Sequence, residues 1–347
     1  MSAQLRFARS SEAGNQDESL NPLLKVEGLV IEASSRRGST ELARGVSFEI
    51  GRGEIVGMVG ESGSGKTLTA MSILGLLPNK VNVSSGSILY EGQNIIEARE
   101  KVLRRLRGGE IGYVAQDAGT ALNPVMRVGV QIVETIRSHK TIDRRSAQLQ
   151  ACELLEKMGI SDAANRMRAY PHELSGGMRQ RISIGIALAC NPKLVIADEP
   201  STALDVSVQG QIVRLLTDRA REQQTSVILI THDLGLVASA ADRILVMYSG
   251  RIVEQIAASN LGQCKHPYTR GLLRATPQLS GPKVEFFDAI PGQPPDPWAR
   301  PAGCSFHTRC AGCQDRCTIE DPGATRGQVQ CWFPLSTKSE STGGGGM

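Results

Sequence analysis

The stretch GESGSGKT at positions 60–67 constrains the fold more than any other part of the chain. It follows the apolar run EIVGMVG (54–60) and leads into KTLTAMSILGLL (66–77), which reads as a helix. G-x-x-x-x-G-K-[ST] between a strand and a helix is a phosphate-binding loop. Its glycines let backbone N–H groups curl around a phosphate, and the helix N-terminus adds partial positive charge. Gly60, Glu61, Ser62, Gly63, Ser64 and Gly65 form the loop. Lys66 is placed to reach the β and γ oxygens of a nucleotide, and the Thr67 hydroxyl to ligate Mg²⁺.

Other segments fit an α/β sheet around that loop. LLKVEGLVIEA (23–33), GVSFEI (45–50), GSILYEG and IGYVAQD read as strands. From about 124 to 190 the pattern becomes helical, with RRSAQLQACELLEKMGI the clearest apolar spacing of three and four. KLVIADE and SVILITHD are short apolar strands, SVQGQIVRLLTDRAREQQ is an amphipathic helix, and RILVMYSGRIVE is a hairpin. Alternation of this kind predicts a sheet with buried central strands and an inserted helical subdomain. Beyond 260, proline and glycine become dense, marking a C-terminal extension. The polar ends, 1–21 and 337–347, are predicted disordered.

Composition narrows the functions. At 4% aromatic, the chain has little surface for stacking single-stranded nucleic acid. A net charge of +4 makes no strong field, and the clusters Arg104, Arg105, Arg107 and Arg144, Arg145 read as solvated helix faces. No nucleic-acid partner is expected. No apolar run approaches the ~18–20 residues that span a bilayer, and the first residues have no apolar signal core. A cytoplasmic protein is expected, whose membrane role would come through partners.

Several polar residues fall at predicted C-terminal strand ends, where open α/β sheets bind ligands. Asp198 and Glu199 end LVIADE; the first suits Mg²⁺ through its water shell, the second an attacking water. Gln116 ends IGYVAQ and could touch Mg²⁺ or that water, and His232 ends VILITH within reach of a γ-phosphate. A second glycine turn, ELSGGMRQR (173–181), has the make-up of another phosphate cradle at a helix start.

The order of these pieces, from the phosphate loop through Gln116, LSGGMRQR, LVIADEP and STALD to His232, resembles the ATP-binding subunits of ABC transporters over about residues 23–255. That resemblance implies a RecA-like nucleotide-binding domain over 22–260, with an antiparallel β subdomain and a helical subdomain at about 118–188. It also accounts for the second cradle. Ser175, Gly176, Gly177 and Gln180 would contact ATP held by a facing subunit, and Asp205 would lie in the loop that communicates across the interface. Soluble ABC ATPases acting on DNA or ribosomes fit less well, because the stretch before LSGGMRQR is taken up by the helical subdomain and there is a single cassette.

The finer resemblance is to ATPase subunits of oligopeptide/dipeptide importers, carried by QDAGTALNP, HPYTRGLL (266–273), IPGQPP (290–295) and the cysteines. It implies a small cysteine-rich extension over 261–336, a second and different ATPase subunit, two permeases, an extracytoplasmic substrate-binding protein, and a place on the cytoplasmic face of the membrane. The imported ligand could be a peptide, glutathione, nickel, an opine or a sugar. One departure stands out. The family's adenine-stacking aromatic aligns with Ala33, and no aromatic lies between 8 and 47, leaving Arg36 or Arg37 as substitutes.

Five of the eight cysteines fall in 304–331, spaced Cys304-x5-Cys310-x6-Cys317-x13-Cys331 with Cys313 extra. Four thiolates could bind zinc or an iron–sulfur cluster, whereas disulfides are disfavoured in a reducing cytosol. Resemblance to the importers favours a [4Fe–4S] cluster on Cys304, Cys310, Cys317 and Cys331, in a structural or regulatory role.

Overall fold

The computed structural model describes residues 21–36, 38–201, 205–276, 289–323 and 328–336. Nearly all of both predicted disordered tails lies outside them. The chain opens with a long hairpin, β1 (Leu24–Ser35) and β2 (Gly38–Ile50), then β3 (Ile55–Val59), the glycine loop and α1 (Lys66–Ile73). Next come β4 (Val81–Tyr90), β5 (Gln93–Asn94), α2 (Glu100–Leu106) and β6 (Ile111–Val114). The helical portion comprises α3 (Ala118–Ala121), α4 (Val128–His139), α5 (Arg144–Lys157), α6 (Ala163–Arg166) and α7 (Gly176–Leu188). Then follow β7 (Leu194–Asp198), α8 (Val206–Glu222), β8 (Ser226–Thr231), α9 (Leu234–Ala240), β9 (Arg243–Tyr248) and β10 (Arg251–Ala257). The extension carries α10 (Pro267–Ala275) and α11 (Asp315–Ile319).

These strands make two sheets. One is antiparallel, in the order β2-β1-β4-β5; the other has six strands, β10-β9-β3-β8-β7-β6. In the second, β6, β7, β8, β3 and β9 run parallel, and β10 closes the edge as the expected hairpin partner of β9. Side-chain alternation explains why the central strands are apolar throughout. Ile55, Val59, Val195, Ala197, Val227, Leu229, Ile244 and Val246 join a core shared with the helices. Val56, Met58, Leu194, Ile196, Ile228, Ile230, Leu245 and Met247 join a core shared with the antiparallel sheet. Gly57 of β3 is required by close packing, since a Cβ there would lie 2.0 Å from a Val237 methyl on α9.

Some boundaries differ from the sequence reading. β2 starts at Gly38 rather than 45, because its polar first half is held by pairing with β1 rather than by burial. Helix α1 stops at Ile73, four residues early: Gly75 takes φ 62°, and the Arg107 guanidinium donates to the Leu74 carbonyl at 2.7 Å. Arg107 is therefore an internal clamp rather than part of a solvated face, whereas Arg104, Arg144 and Arg145 are exposed.

The extension builds on the cassette's core. Phe306 packs edge-on to Tyr248 of β9 and to Tyr268 of α10, with ring centroids 5.2 and 5.3 Å apart. The Glu254 carboxylate of β10, 1% exposed, accepts from the backbone N–H groups of Lys265 and His266 at 2.6 and 3.1 Å. A short antiparallel bridge, Glu254 to Val329, covers the outer edge of β10. Because one core serves both parts, Phe306→Ala is expected to cost about 3–4 kcal/mol and to shift a single unfolding transition in urea. A separate early transition for the extension would contradict the shared core.

His266 caps α10 by accepting from the Tyr268 N–H, and burial lowers its pKa from 6.5 to about 4. The unfolded chain binds this proton more readily, so the contribution is present above pH 6.5 and is lost as pH falls towards 4. Unfolding measured across that window should show destabilisation by up to about 3 kcal/mol, reduced in His266→Asn, which keeps a capping acceptor but does not titrate.

Candidate active site

Strand register brings the predicted residues to one edge. In the parallel pairing, Val59 of β3 lies beside Thr231 of β8, and Asp198 of β7 beside Ile230. The glycine loop leaves β3 at this edge, Asp198 and Glu199 leave β7, and His232 follows β8. The loop enters α1 through Gly65, whose φ of 103° is a left-handed conformation suited to glycine.

Lys66 is 5% exposed and donates through Nζ to the carbonyls of Gly60 and Glu61 at 2.8 and 3.0 Å. Burial lowers its pKa, opposed by the charges of Glu199, Asp198 and Glu61. The Thr67 hydroxyl donates to Asp198 Oδ1 at 3.1 Å, and the Tyr113 hydroxyl lies 3.5 Å from Oδ2. Burial pushes the Asp198 carboxyl above its ordinary value, with Thr67 lowering it, Glu199 raising it and Lys66 lowering it. A divalent cation would replace these compensations with a full charge, and Thr67 and Asp198 are hard oxygen donors of the kind Mg²⁺ takes.

Glu199 stands at the centre of a second cluster. Gln116 Nε2 donates to its Oε2 at 3.1 Å, and His232 Nδ1 lies 3.7 Å from the same oxygen. Its backbone takes φ 47°, and its N–H donates to the Ile230 carbonyl at 2.9 Å. A non-glycine residue in the left-handed region is held there by its surroundings and is enriched at functional sites. The set can position a water beside a phosphate and accept its proton.

The second glycine turn lies elsewhere, at the start of α7. Ser175 caps that helix, its hydroxyl accepting from the Met178 N–H at 3.3 Å, and is itself exposed. Gly176 and Gly177 form the first turn. Gln180 stands one turn further along the helix and is 4% exposed, whereas Ser175 is exposed. Asp205 is exposed at the start of α8, and residues 202–204 of STALD lie outside the described residues.

Two contacts on the loop were not foreseen. Arg309 of the extension, 6% exposed, grips the Glu61 carboxylate with both terminal nitrogens, at 2.6 and 2.8 Å. Tyr268 of α10 accepts from the Glu61 N–H at 2.9 Å. Glu61 thus anchors the loop to the extension as well as belonging to the cradle. No sequence signal pairs residues so far apart. At the hairpin, Ala33 lies opposite Thr40, Arg36 is exposed in the turn and Arg37 lies outside the described residues.

Cys304, Cys310, Cys317 and Cys331 line one small pocket together with Phe306 and Trp332. Burial pushes the Cys304 thiol up to about 11, with Cys331 and Cys317 adding to the rise. Cys331 is raised by burial, and further by Cys310 and Cys317. The four are therefore electrostatic neighbours. Among the described residues, however, no set of three or more His, Cys, Asp or Glu side chains stands in metal-binding geometry. The expected four-thiolate site is gathered but not closed.

Known proteins match this architecture. Residues 43–202 match the ABC transporter family, and residues 253–317 the oligopeptide/dipeptide transporter C-terminal region. The chain is 43% identical over 319 residues to the probable D,D-dipeptide transport ATP-binding protein DdpD of Escherichia coli, covering 90% of this chain and 97% of that protein. It is 46% identical over 289 residues to the oligopeptide transport ATP-binding protein OppD of Bacillus subtilis, covering 83% and 81%. The fold superposes on cbiO1 from Clostridium perfringens, part of the ABC transporter complex cbiONQ, with a TM-score of 0.60 and 28% identity, covering 70% of this chain and 90% of that one. The chain therefore belongs to the ATP-binding proteins of ABC transporters, in the oligopeptide/dipeptide importer family, and it is an ATPase.

Proposed function

We propose that this chain powers the import of di- and oligopeptides across the cytoplasmic membrane, working with a second homologous ATPase subunit beneath two permeases supplied by an extracytoplasmic binding protein. The observation that carries the reading is the extension: the segment that matches the oligopeptide/dipeptide transporter C-terminal region is bonded directly to the phosphate loop through Arg309 and Tyr268. No helix among the described residues is long and apolar enough to cross a membrane, which suits a peripheral subunit that reaches the bilayer through permeases.

Each residue has a role in this reading. The backbone from Gly60 to Gly65 wraps the β-phosphate, and Lys66 turns its Nζ from the Gly60 and Glu61 carbonyls to phosphate oxygens. Thr67, Asp198 and Gln116 would hold Mg²⁺. Bound there, the cation would neutralise charge on the transferred phosphoryl group. Glu199 orients and deprotonates water, steadied by Gln116, while His232 contacts the γ-phosphate. Ser175, Gly176 and Gly177 offer an exposed helix N-terminus to ATP held by the facing subunit, and Asp205 lies along that interface. ATP then bridges two subunits, and hydrolysis releases them.

Glu199→Gln is expected to bind MgATP like the wild type and to lose hydrolysis by ~10²-fold or more, read by phosphate release from the full chain. Turnover near wild type would remove Glu199 from that role. Tagging the chain and purifying it from gently solubilised membranes should recover two permeases and a second ATPase. Recovery with ribosomes or DNA instead would overturn the transport reading.

We also propose that Cys304, Cys310, Cys317 and Cys331 hold a [4Fe–4S] cluster that braces the extension, supported by their shared pocket and mutual effect on ionisation. Protein purified without oxygen should contain iron, and Cys310→Ser should lose it. Equal iron in both proteins, or zinc in place of iron, would count against the cluster.

A further inference from the structure

The adenine end of a nucleotide is a flat, weakly hydrated ring, and aromatic faces are the side-chain surfaces that hold such rings best. The hairpin beside the phosphate loop offers none at its surface, since β1 carries no aromatic residue and Phe48 of β2 is buried in the core. The hairpin nonetheless reaches the loop, because a Cβ on Gly65 would lie 3.2 Å from the Leu42 carbonyl. Two residues before Leu42, Thr40 stands directly opposite Ala33, so the two side chains share one face of the hairpin.

That face is met by the proline-rich segment of the extension. The Thr40 hydroxyl donates to the Pro297 carbonyl at 2.7 Å. Arg300 ties the same segment down, donating to the Ser249 hydroxyl at 3.2 Å and to the Glu41 carbonyl. Pro294, Pro295 and Pro297 line one small cavity together with Glu61, Ser62 and Gly63 of the phosphate loop. The segment therefore bridges hairpin and loop. Between its two tethers, Pro297 and Arg300, sits Trp298, one of only two tryptophans in the chain, in a tight turn where its N–H donates to Asp296 at 2.9 Å. Trp298 remains 40% exposed, so its ring is open to a ligand.

We propose that Trp298 is the base-binding residue of this ATPase: the extension supplies across the hairpin the aromatic face that the hairpin lacks at Ala33. This rests on the phosphate loop being the nucleotide site. It makes the extension part of the nucleotide pocket, and so gives a single subunit of an unlike pair its own base contact.

The test titrates the full chain with MgADP and with Mg-pyrophosphate, which shares the phosphates but has no base. Trp298→Ala should weaken MgADP about tenfold, or about 1.4 kcal/mol, and leave pyrophosphate unchanged. Trp298→Phe should restore most of the affinity. In Trp332→Phe, where Trp298 is the sole tryptophan, MgADP should quench its emission and pyrophosphate should not. Lys66→Ala is the reference and should weaken both ligands. If Trp298→Ala binds MgADP as well as or better than wild type while Lys66→Ala weakens both ligands, the base contact is refuted and the segment is a cover. If Lys66→Ala also leaves both unchanged, the phosphate-loop reading has failed, and the base contact fails with it.

Discussion

The parallel pairing of β3, β7 and β8 is the constraint on which the site depends. Residues near positions 59, 198 and 231 become neighbours because Val59 pairs with Thr231 and Asp198 with Ile230. A shift of register by one residue would exchange the two cores, sending Val56, Met58, Ile196 and Ile228 to the helical side. Register is therefore fixed by burial on both faces. The contacts at the strand ends, Thr67 to Asp198 and Gln116 to Glu199, inherit that precision.

Charge at that edge is arranged to be incomplete. Lys66 is buried against its own loop carbonyls, and Asp198 is buried beside Thr67, with Glu199 the next residue along. Burial moves the Lys66 and Asp198 pKa values towards neutrality, and each one's charge offsets the other's cost. Neither pays its full desolvation penalty alone. A phosphate brings negative charge to the lysine and a cation brings positive charge to the carboxylate. Both ligands thus improve an environment the fold has made dry, and a dry environment strengthens each electrostatic contact.

Much of this was legible in the sequence because it is local. GESGSGKT encodes its own loop geometry, and LVIADE, SVILITH and IGYVAQ carry their polar residues at strand ends where alternation and length place them. The exposed Ser175 cap could also be read from residue types at a helix start. The burial of Gln180 had no such local signal: it stands one turn above Gly176, and only the packing around α7 covers it. Arg107 reads as one more surface charge until the end of α1 is seen to need a donor. The long-range pairs had no signal at all. Arg309 to Glu61 and Thr40 to Pro297 join residues more than two hundred positions apart, and only the docking of the extension makes them neighbours.

That docking changes what the extension is. A buried ion pair such as Arg309–Glu61 adds little net stability, because two charges leave water to form it. Its bidentate geometry instead fixes direction, holding the second residue of the phosphate loop while Tyr268 holds the same residue's N–H. Cys310 follows Arg309 immediately, and Phe306 packs against both Tyr248 and Tyr268. Any change in the cysteine pocket that moves this short segment by a fraction of an ångström must therefore move the anchor of the loop, since a close-packed core transmits small displacements rather than absorbing them. The cysteine-bearing segment is for this reason joined to the phosphate loop by a short chain of contacts, from Cys310 through Arg309 to Glu61.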